Sequence, residues 1–391
     1  MRQTISLLGL MLLLPVTSVA QDISTTLPLP NAKSGGIFSV ASAGAKGKPV
    51  VLQPIYWLKT LIDSSAVATV DRNYIEQPKK ACAVELRNEF SECLLKMNAD
   101  YPITEDLNAN MSVRTTTGFT AATGVWLGYR GYGLGLSKDL THGDGSTFAF
   151  GAMGGSFGLN LRINTYRGNQ PDVWLRIPGS GDESYEGEGR EELDDPIKVR
   201  TLFLDGYYMF NGKHFSYAAA YDQSLIQRRS AGSLMAGVMY YHSRVAFDDQ
   251  SNWPLVMFMR GVGKLKFTQA CVGLGYAYNW VPARGWLISA QAMPMLQFYN
   301  KITAYTYDVI LEESENQSDD DLFCLNIQPS GEQSTNNYIG LNFDARLSMV
   351  YNWTNFYLRI YGHYNRFRYS NDMGYGRMAE WRAYASLGFR F

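Results

Sequence analysis

A chain of 391 residues with 35 basic and 36 acidic side chains has no basic excess, which argues against a nucleic-acid partner. Beyond the first residues no run of roughly 18 apolar positions occurs, so membrane-spanning helices are excluded; a β-barrel, whose strands need only about 9–11 alternating residues, is not. The 26 Tyr, 19 Phe and 8 Trp beside 37 Gly suit an all-β architecture with aromatic girdles better than an α/β enzyme.

At the N-terminus, Arg2, the apolar run Ile5 to Leu14, Pro15, and the small Ser18 and Ala20 have the order of a secretory signal peptide over residues 1–20. No cysteine stands between Ala20 and Gln21 to accept a lipid. Residues 21–80 read as a flexible periplasmic leader: 22–52 are rich in Ser, Ala, Gly, Pro and Lys without period, and 53–68 could form a short helix. A strand pattern starts near Ala81, so 81–391 is expected to form a transmembrane antiparallel β-barrel.

Going along the chain, Thr115 to Ser137 and Phe148 to Tyr166 read as long strands. Within the first, the apolar phase flips at Arg130-Gly131, which a bulge or a hairpin would explain. Asn211 to Lys213 reads as a tight turn with His214 at the start of the next strand, Trp253 to Arg260 as a weak strand, and Val281 to Arg284 as a turn before the long strand Trp286 to Thr303. The acidic segments 168–196 and 305–336 are expected as extracellular loops, and their carboxylate-dense stretches, Asp182 to Asp195 and Asp308 to Asp321, as solvated and mobile. From Tyr338 to Tyr351, Leu341, Phe343, Leu347 and Met349 alternate with Asn342, Asp344, Arg346 and Ser348, a period of two that a helix would scramble. The phase repeats after a turn at Asn352, with Phe356, Leu358 and Ile360 against Arg359, Tyr361 and His363. It repeats again in Trp381 to Phe391. The sum is about 12 strands. Alternation alone also fits a soluble sandwich, but long strands with Tyr276, Tyr278, Trp280 and Trp286 gathered near their ends match a membrane barrel with interfacial belts.

The stretches DRNYIEQP (71–78), WLGYRGYGLGLSK (126–138), FSYAAAYDQSLIQRRSAGSLMAGVMYY (215–241), GYAYNW (275–280) and the terminal LGFRF resemble an uncharacterised family of Bacteroidetes outer-membrane proteins, domain of unknown function 4421. The resemblance runs from Asp71 to Phe391. It implies a barrel in the outer membrane of a Gram-negative bacterium and supplies no activity or catalytic residue. The Ala/Gly/Ser-rich leader before Asp71 departs from it.

Function in a barrel belongs to the inward face. The phase above predicts an interior lined by Asn160, Arg162, Asn164, Asp205, Ser216, Asp222, Gln269, Gln291, Asn342, Asp344, Arg346, Arg359, His363, Arg382 and Arg390. Such a mixture can line a wet pore with weak anion preference or close on itself as ion pairs. The first reading is therefore a non-enzymatic narrow channel or small-solute porin, and the alternative a structural or partner-binding barrel with a filled lumen. A third, a lipid-modifying enzyme, would rest on His242 in YYHSR; His242 and Ser243 point to opposite faces of a strand, so that histidine would need a different hydroxyl.

Asp319, Asp320 and Asp321 are the candidate metal ligands, in a spacing that matches no known calcium loop. The glycines of 131–135 and 151–158 lie within strands, where they permit curvature and close approach, and precede no helix that could cradle a phosphate. Cys82, Cys93, Cys271 and Cys324 allow three pairings; they read as unpaired small fillers. No cofactor is expected. The expected partners are outer-membrane lipids, the barrel-assembly machinery and a possible further protein.

Overall fold

The structure, a computed structural model, describes residues 70–391 apart from 105–106, 117–119, 142–144, 169–170, 179–183, 191, 314–322, 337–338 and 372–373. The signal peptide, most of the leader with its short helix, and Asp319, Asp320 and Asp321 lie outside the described residues.

Twelve strands close into an antiparallel barrel in which each strand pairs with its neighbours in sequence. They are β1 (Cys82–Thr104), β2 (Thr120–Tyr129), β3 (Tyr132–Asp139), β4 (Ser146–Met153), β5 (Phe157–Gly168), β6 (Ile197–Met209), β7 (Ala231–Ala246), β8 (Val262–Trp280), β9 (Trp286–Glu313), β10 (Gly340–Trp353), β11 (Phe356–Asn371) and β12 (Gly374–Arg390). Closure runs through β12 and β1, from Arg390 opposite Ala83 to Gly374 opposite Ala99. The amide of Phe391 donates to the Cys82 carbonyl at 3.0 Å, so no edge is left unpaired at the seam.

Alternation decides the two faces. On β10, Asn342, Asp344, Arg346 and Ser348 are buried while Leu341, Phe343, Leu347 and Met349 are exposed. Leu127, Leu134, Leu234, Val238, Leu274 and Leu387 continue this outward apolar band around the wall. At one end four of the five connections are short, the fifth being residues 210–230, and exposed aromatics cluster there: Tyr129, Tyr278, Trp280, Trp286, Trp353, Phe356, Phe389 and Phe391. A polar interior inside an apolar wall with an aromatic rim is the physical requirement of a bilayer-spanning barrel. This is the turn end; the opposite rim is the loop end.

The strand count agrees with the sequence reading, but its composition differs in compensating ways. Thr115 to Ser137 is not one strand: Arg130 (φ 48°) and Gly131 (φ 90°) make a two-residue turn that pairs Tyr129 with Tyr132. Positive φ at both central residues matches the right-handed twist of the flanking strands. Phe148 to Tyr166 likewise divides at 154–156 into β4 and β5, with the Gly154 amide bonded to the Phe157 carbonyl at 2.8 Å. Conversely, Trp253 to Arg260 is not a strand. Trp253–Phe258 forms a short helix with Pro254 in its first turn, where a missing N–H costs nothing, and the chain leaves it through left-handed Arg260 and Gly261.

The acidic segments are also more ordered than expected. Residues 172–178 pair with 184–190, and 323–336 pair with the upper part of β9, so both stand as hairpin ribbons at the loop end.

The remaining correction concerns residues 210–230. Asn211 to Lys213 does not reverse directly into a strand. The chain instead enters the barrel from the turn end as helix α1 (Tyr217–Tyr221), every residue of which is buried. Ser216 caps it, its hydroxyl accepting from the Ala219 amide at 3.1 Å. The run Ala218-Ala219-Ala220 favours helix and is slim enough to lie close to the inner wall.

Candidate functional site: the filled interior and its plug

Residues 211–230 form a plug, and the walls hold it with charge. On β10, Arg346 donates through Nη1 to the Tyr217 hydroxyl at 2.6 Å and through Nη2 to Tyr207. The same guanidinium pairs with Asp205 at 3.0 Å and Asp344 at 3.5 Å. Arg359 on β11 donates to the Tyr221 carbonyl, and its other arm reaches Glu85 on β1 at 2.5 Å. Ser348 donates to the Ala220 carbonyl at 2.8 Å, and Asn279 to the Ser216 carbonyl at 2.9 Å. Arg390, buried at the seam, closes on the Gln223 carbonyl at 3.2 Å and Asn352 at 2.8 Å.

The plug is stapled in turn to the segment preceding the barrel. Ile75 and Glu76 pair as a two-residue ladder with Gln227 and Ile226. The Asp71 amide donates to the Lys213 carbonyl at 2.9 Å, the Arg228 amide to the Tyr74 carbonyl at 2.7 Å, and Arg228 pairs with Glu76 at 2.7 Å. Two of the stretches that carry the family resemblance, 71–78 and the first part of 215–241, therefore meet at the turn end.

Above the plug, ion pairs cross the lumen. Glu85 accepts from Arg87 at 2.8 Å and Tyr357 at 2.7 Å as well as from Arg359. Asp344 takes His363 at 2.6 Å and Gln291 at 3.2 Å, and Asn160 donates to Asp205 at 2.7 Å. Arg382 spans Glu89 at 2.7 Å, Glu380 at 2.8 Å and Tyr166 at 2.8 Å. Toward the loop end, Gln269 binds Asn300 and the Arg368 carbonyl, Asn342 reaches the Cys271 sulfur at 3.1 Å, and Tyr241 stacks on Phe367 with ring centroids 4.2 Å apart. Arg162, half-buried, lies over the Phe203 ring and 3.5 Å from His363. A cavity of about 90 Å³ remains between Arg87, Arg162, Asp205, Arg346 and Arg382, room for roughly three waters. A second pocket, of about 250 Å³, opens at the turn end between Lys79, Lys80, Arg130, Asp222 and Arg390.

The structure thus places Asn160, Arg162, Asp205, Gln269, Gln291, Asn342, Asp344, Arg346, Arg359, His363, Arg382 and Arg390 on inner strand faces. Asp222 and Ser216 also lie in the interior, but on the plug rather than on a strand: they are the C-cap and N-cap of α1. Sequence reasoning missed the acids that answer these arginines, Glu85, Glu89 and Glu380. The alternation Glu85-Arg87-Glu89 across outward Leu86 and Asn88 was the available signal.

His242 points outward, its Nδ1 2.9 Å from the Thr268 hydroxyl, while Ser243 is buried on the opposite face. His363 has a carboxylate on one ring nitrogen, as a catalytic base would, but its other nitrogen faces the cation Arg162 rather than a hydroxyl nucleophile. Among the described residues no group of three or more His, Cys, Asp or Glu could hold a metal ion. Among the described residues no disulfide joins Cys82, Cys93 or Cys271; the side chain of Cys324 lies outside the described residues.

A family model described as a domain of unknown function, DUF4421, matches residues 69–391. No curated protein matches the sequence. Among solved structures, the outer-membrane protease OmpT of Escherichia coli is similar at 8% identity over 80% of this chain and 97% of its own, with a TM-score of 0.43. An outer-membrane channel of Pseudomonas putida F1 is similar at 10% identity over 81% and 98%, with a TM-score of 0.28. The toluene transporter TodX of P. putida is similar at 9% identity over 84% and 94%, with a TM-score of 0.28. At these scores none of the three bears on the chemistry of this chain.

Proposed function

The chain belongs to the DUF4421 family, which brings no activity with it, and from the geometry we propose that it is a sealed barrel of the Gram-negative outer membrane that works as a scaffold for a protein partner. Short turns face the periplasm in such barrels and long loops face outward, so the plug and the 71–78 staple present to the periplasm. The observation that carries this reading is the anchoring of the plug by Arg346 and Arg359, each of which also satisfies wall carboxylates. Buried ion pairs of this kind lose several kcal/mol when one member is removed, so they resist the wetting that conduction needs. The partner would engage the turn-end surface where the leader enters.

The channel reading has less support, because Arg87, Arg346, Arg359 and Arg382 spend their charge on carboxylates rather than on a lumen. The lipid-enzyme reading has only the Thr268 hydroxyl beside His242, with the cation Lys266 rather than a carboxylate acting on the ring. Single-channel recording in planar bilayers is the test. The intact barrel is expected to be silent, and a variant with 214–229 replaced by a short Gly/Ser linker to conduct. Sustained conductance from the intact, folded barrel would overturn the sealed reading.

A further inference from the structure

The outer wall of β6 to β9 carries a second feature that neither a sealed lumen nor a scaffold requires. Arg200 on β6 stands directly opposite Arg244 on β7, which stands opposite Lys266 on β8. All three point away from the lumen. One row nearer the turn end, His242, Thr268 and Lys301 lie side by side. Like charges directly across strands, with Cβ atoms about 5 Å apart, repel and destabilise a sheet. Arg200, Arg244 and Lys301 have no ion pair among the described residues. Asp249 is engaged by Lys198 at 2.8 Å and Asp248 by the hydroxyl of Tyr307, on which the Arg244 charge also acts; Lys266 donates to the Tyr305 hydroxyl at 2.5 Å, and Glu332 stands opposite Tyr305.

The height of these rows is informative. On β7 the outward residues run from Leu234 through Val238 and Tyr240 to Arg244, ten positions on, or about 33 Å along the strand and roughly 23 Å along the normal for a strand tilted by 45°. That is the thickness of the apolar band, so the basic rows stand where headgroup phosphates of the loop-end leaflet lie. Tyr240 and Tyr299, just beneath, are in the position of an interfacial aromatic belt.

An apolar groove of about 720 Å³ runs across the same four strands, six residues below Arg244 at Val238, and reaches Leu341 on β10. Its floor is shallow backbone at Gly206, Gly237 and Gly273, and its rims are Tyr208, Leu274 and Leu296. The ladder between β8 and β9 skips Leu274 and Gly275 opposite Pro294 and Met293, because Pro294 has no N–H to give. The distance from groove to basic rows, about 20 Å along the strand, suits one acyl chain with its headgroup.

We propose that this wall is a binding site for a phosphorylated lipid of the loop-end leaflet, with its phosphate on Arg200, Arg244, Lys266 and Lys301 and an acyl chain in the groove. The proposal rests on the membrane reading above but not on a sealed lumen, so a conducting barrel would leave it intact.

Native mass spectrometry of the full barrel, released from detergent with bis-phosphorylated lipid A, its dephosphorylated form or inorganic phosphate, tests it. The phosphorylated lipid is expected to stay bound, and the triple variant R200Q/R244Q/K266Q to retain it about a hundred-fold more weakly, given the usual worth of each basic residue at a lipid surface. Ala236→Phe, which fills the groove without touching a charge, should also weaken retention. Should the triple variant fail to fold, Lys301→Gln reads the same loss at about five-fold. Equal retention of the dephosphorylated lipid, unchanged retention in the variants, or equal occupancy by inorganic phosphate alone would overturn the proposal.

Discussion

Arg346 on β10 and Tyr217 on the plug helix are 129 residues apart in sequence and joined by a 2.6 Å hydrogen bond. The guanidinium is almost fully buried and divides its donors between the plug and the wall acids Asp205 and Asp344. A single side chain therefore couples plug position to the charge balance of the lumen.

Arg346→Met should loosen the plug while leaving the strands paired. Trypsin is then expected to cut at Lys213, Arg228 and Arg229 much faster than in the parent barrel, with the fragments read by mass spectrometry. Tyr217→Phe removes only one charge-assisted bond, about 1.5–3 kcal/mol, and should give a smaller increase. Identical digestion rates in all three proteins would show that Arg346 does not hold the plug.

The pair Glu85–Arg359 is closed at 2.5 Å with both side chains fully buried. Removing one member leaves a charge without its main partner, so Arg359→Met should cost about 3–5 kcal/mol in urea unfolding from micelles. The double variant E85L/R359M should recover only part of that, because it removes both members of the pair but leaves Arg87 and Tyr357 without the Glu85 carboxylate. Additive losses in the double variant would mean that the pair is not the unit of stability.

Gly133 and Gly135 on β3 make room for a side chain. A Cβ at Gly133 would fall 2.0 Å from the Trp126 ring, and one at Gly135 2.6 Å from it. Arg87 lies over the same indole, 4.0 Å from its centroid. Gly133→Ala should therefore destabilise the barrel by about 1–3 kcal/mol through overpacking, and the double variant G133A/W126L should regain stability. No rescue by Trp126→Leu would point to backbone conformation instead of space. This use of glycine replaces any role for these residues in phosphate binding.

Asp222 lies between strands, in the plug segment at the end of α1. Its burial raises the carboxyl above the ordinary aspartate range, and Ser224 and the charge of Arg359 offset only part of that. A carboxyl whose folded pKa is raised contributes its full stability below the unfolded value of about 3.9 and loses it as pH rises through the folded value. Asp222→Asn, which cannot ionise, should accordingly be more stable than the parent at pH 7 and indistinguishable from it at pH 3. Urea midpoints measured at the two pH values decide this; a parent more stable than the variant at pH 7 would mean that the charged form is the favoured one.

How much of this was legible in the chain varies with the range of the interaction involved. The two faces of β10, β11 and β12 follow from a period of two within each strand, and the residues from Leu341 to Phe391 show it without reference to anything outside themselves. The hairpin at Arg130-Gly131 was only half legible. Arg130 is not a residue that marks a turn, and the phase flip fits a bulge as well; pairing of Tyr129 with Tyr132 decides it. Pro254 was a partial signal for the helix at Trp253–Phe258, since an interior proline costs a strand ladder bonds, as the gap beside Pro294 in β9 shows.

By itself the sequence determined which residues face inward on the strands, because alternation is a local property of the backbone, and hence that charge would accumulate in the lumen. It could not determine what that charge does. Arg359 meets Glu85 across 274 positions only because β12 closes on β1, and Tyr217 to Tyr221 form a plug only because Arg346, Arg359 and Ser348 wait on the inner wall to receive them. Register between the neighbouring strands β6, β7 and β8 brings Arg200, Arg244 and Lys266 into one outward row. Tertiary structure decided these partners, since a strand's own period sets the direction of a side chain and only the register between strands sets its neighbour.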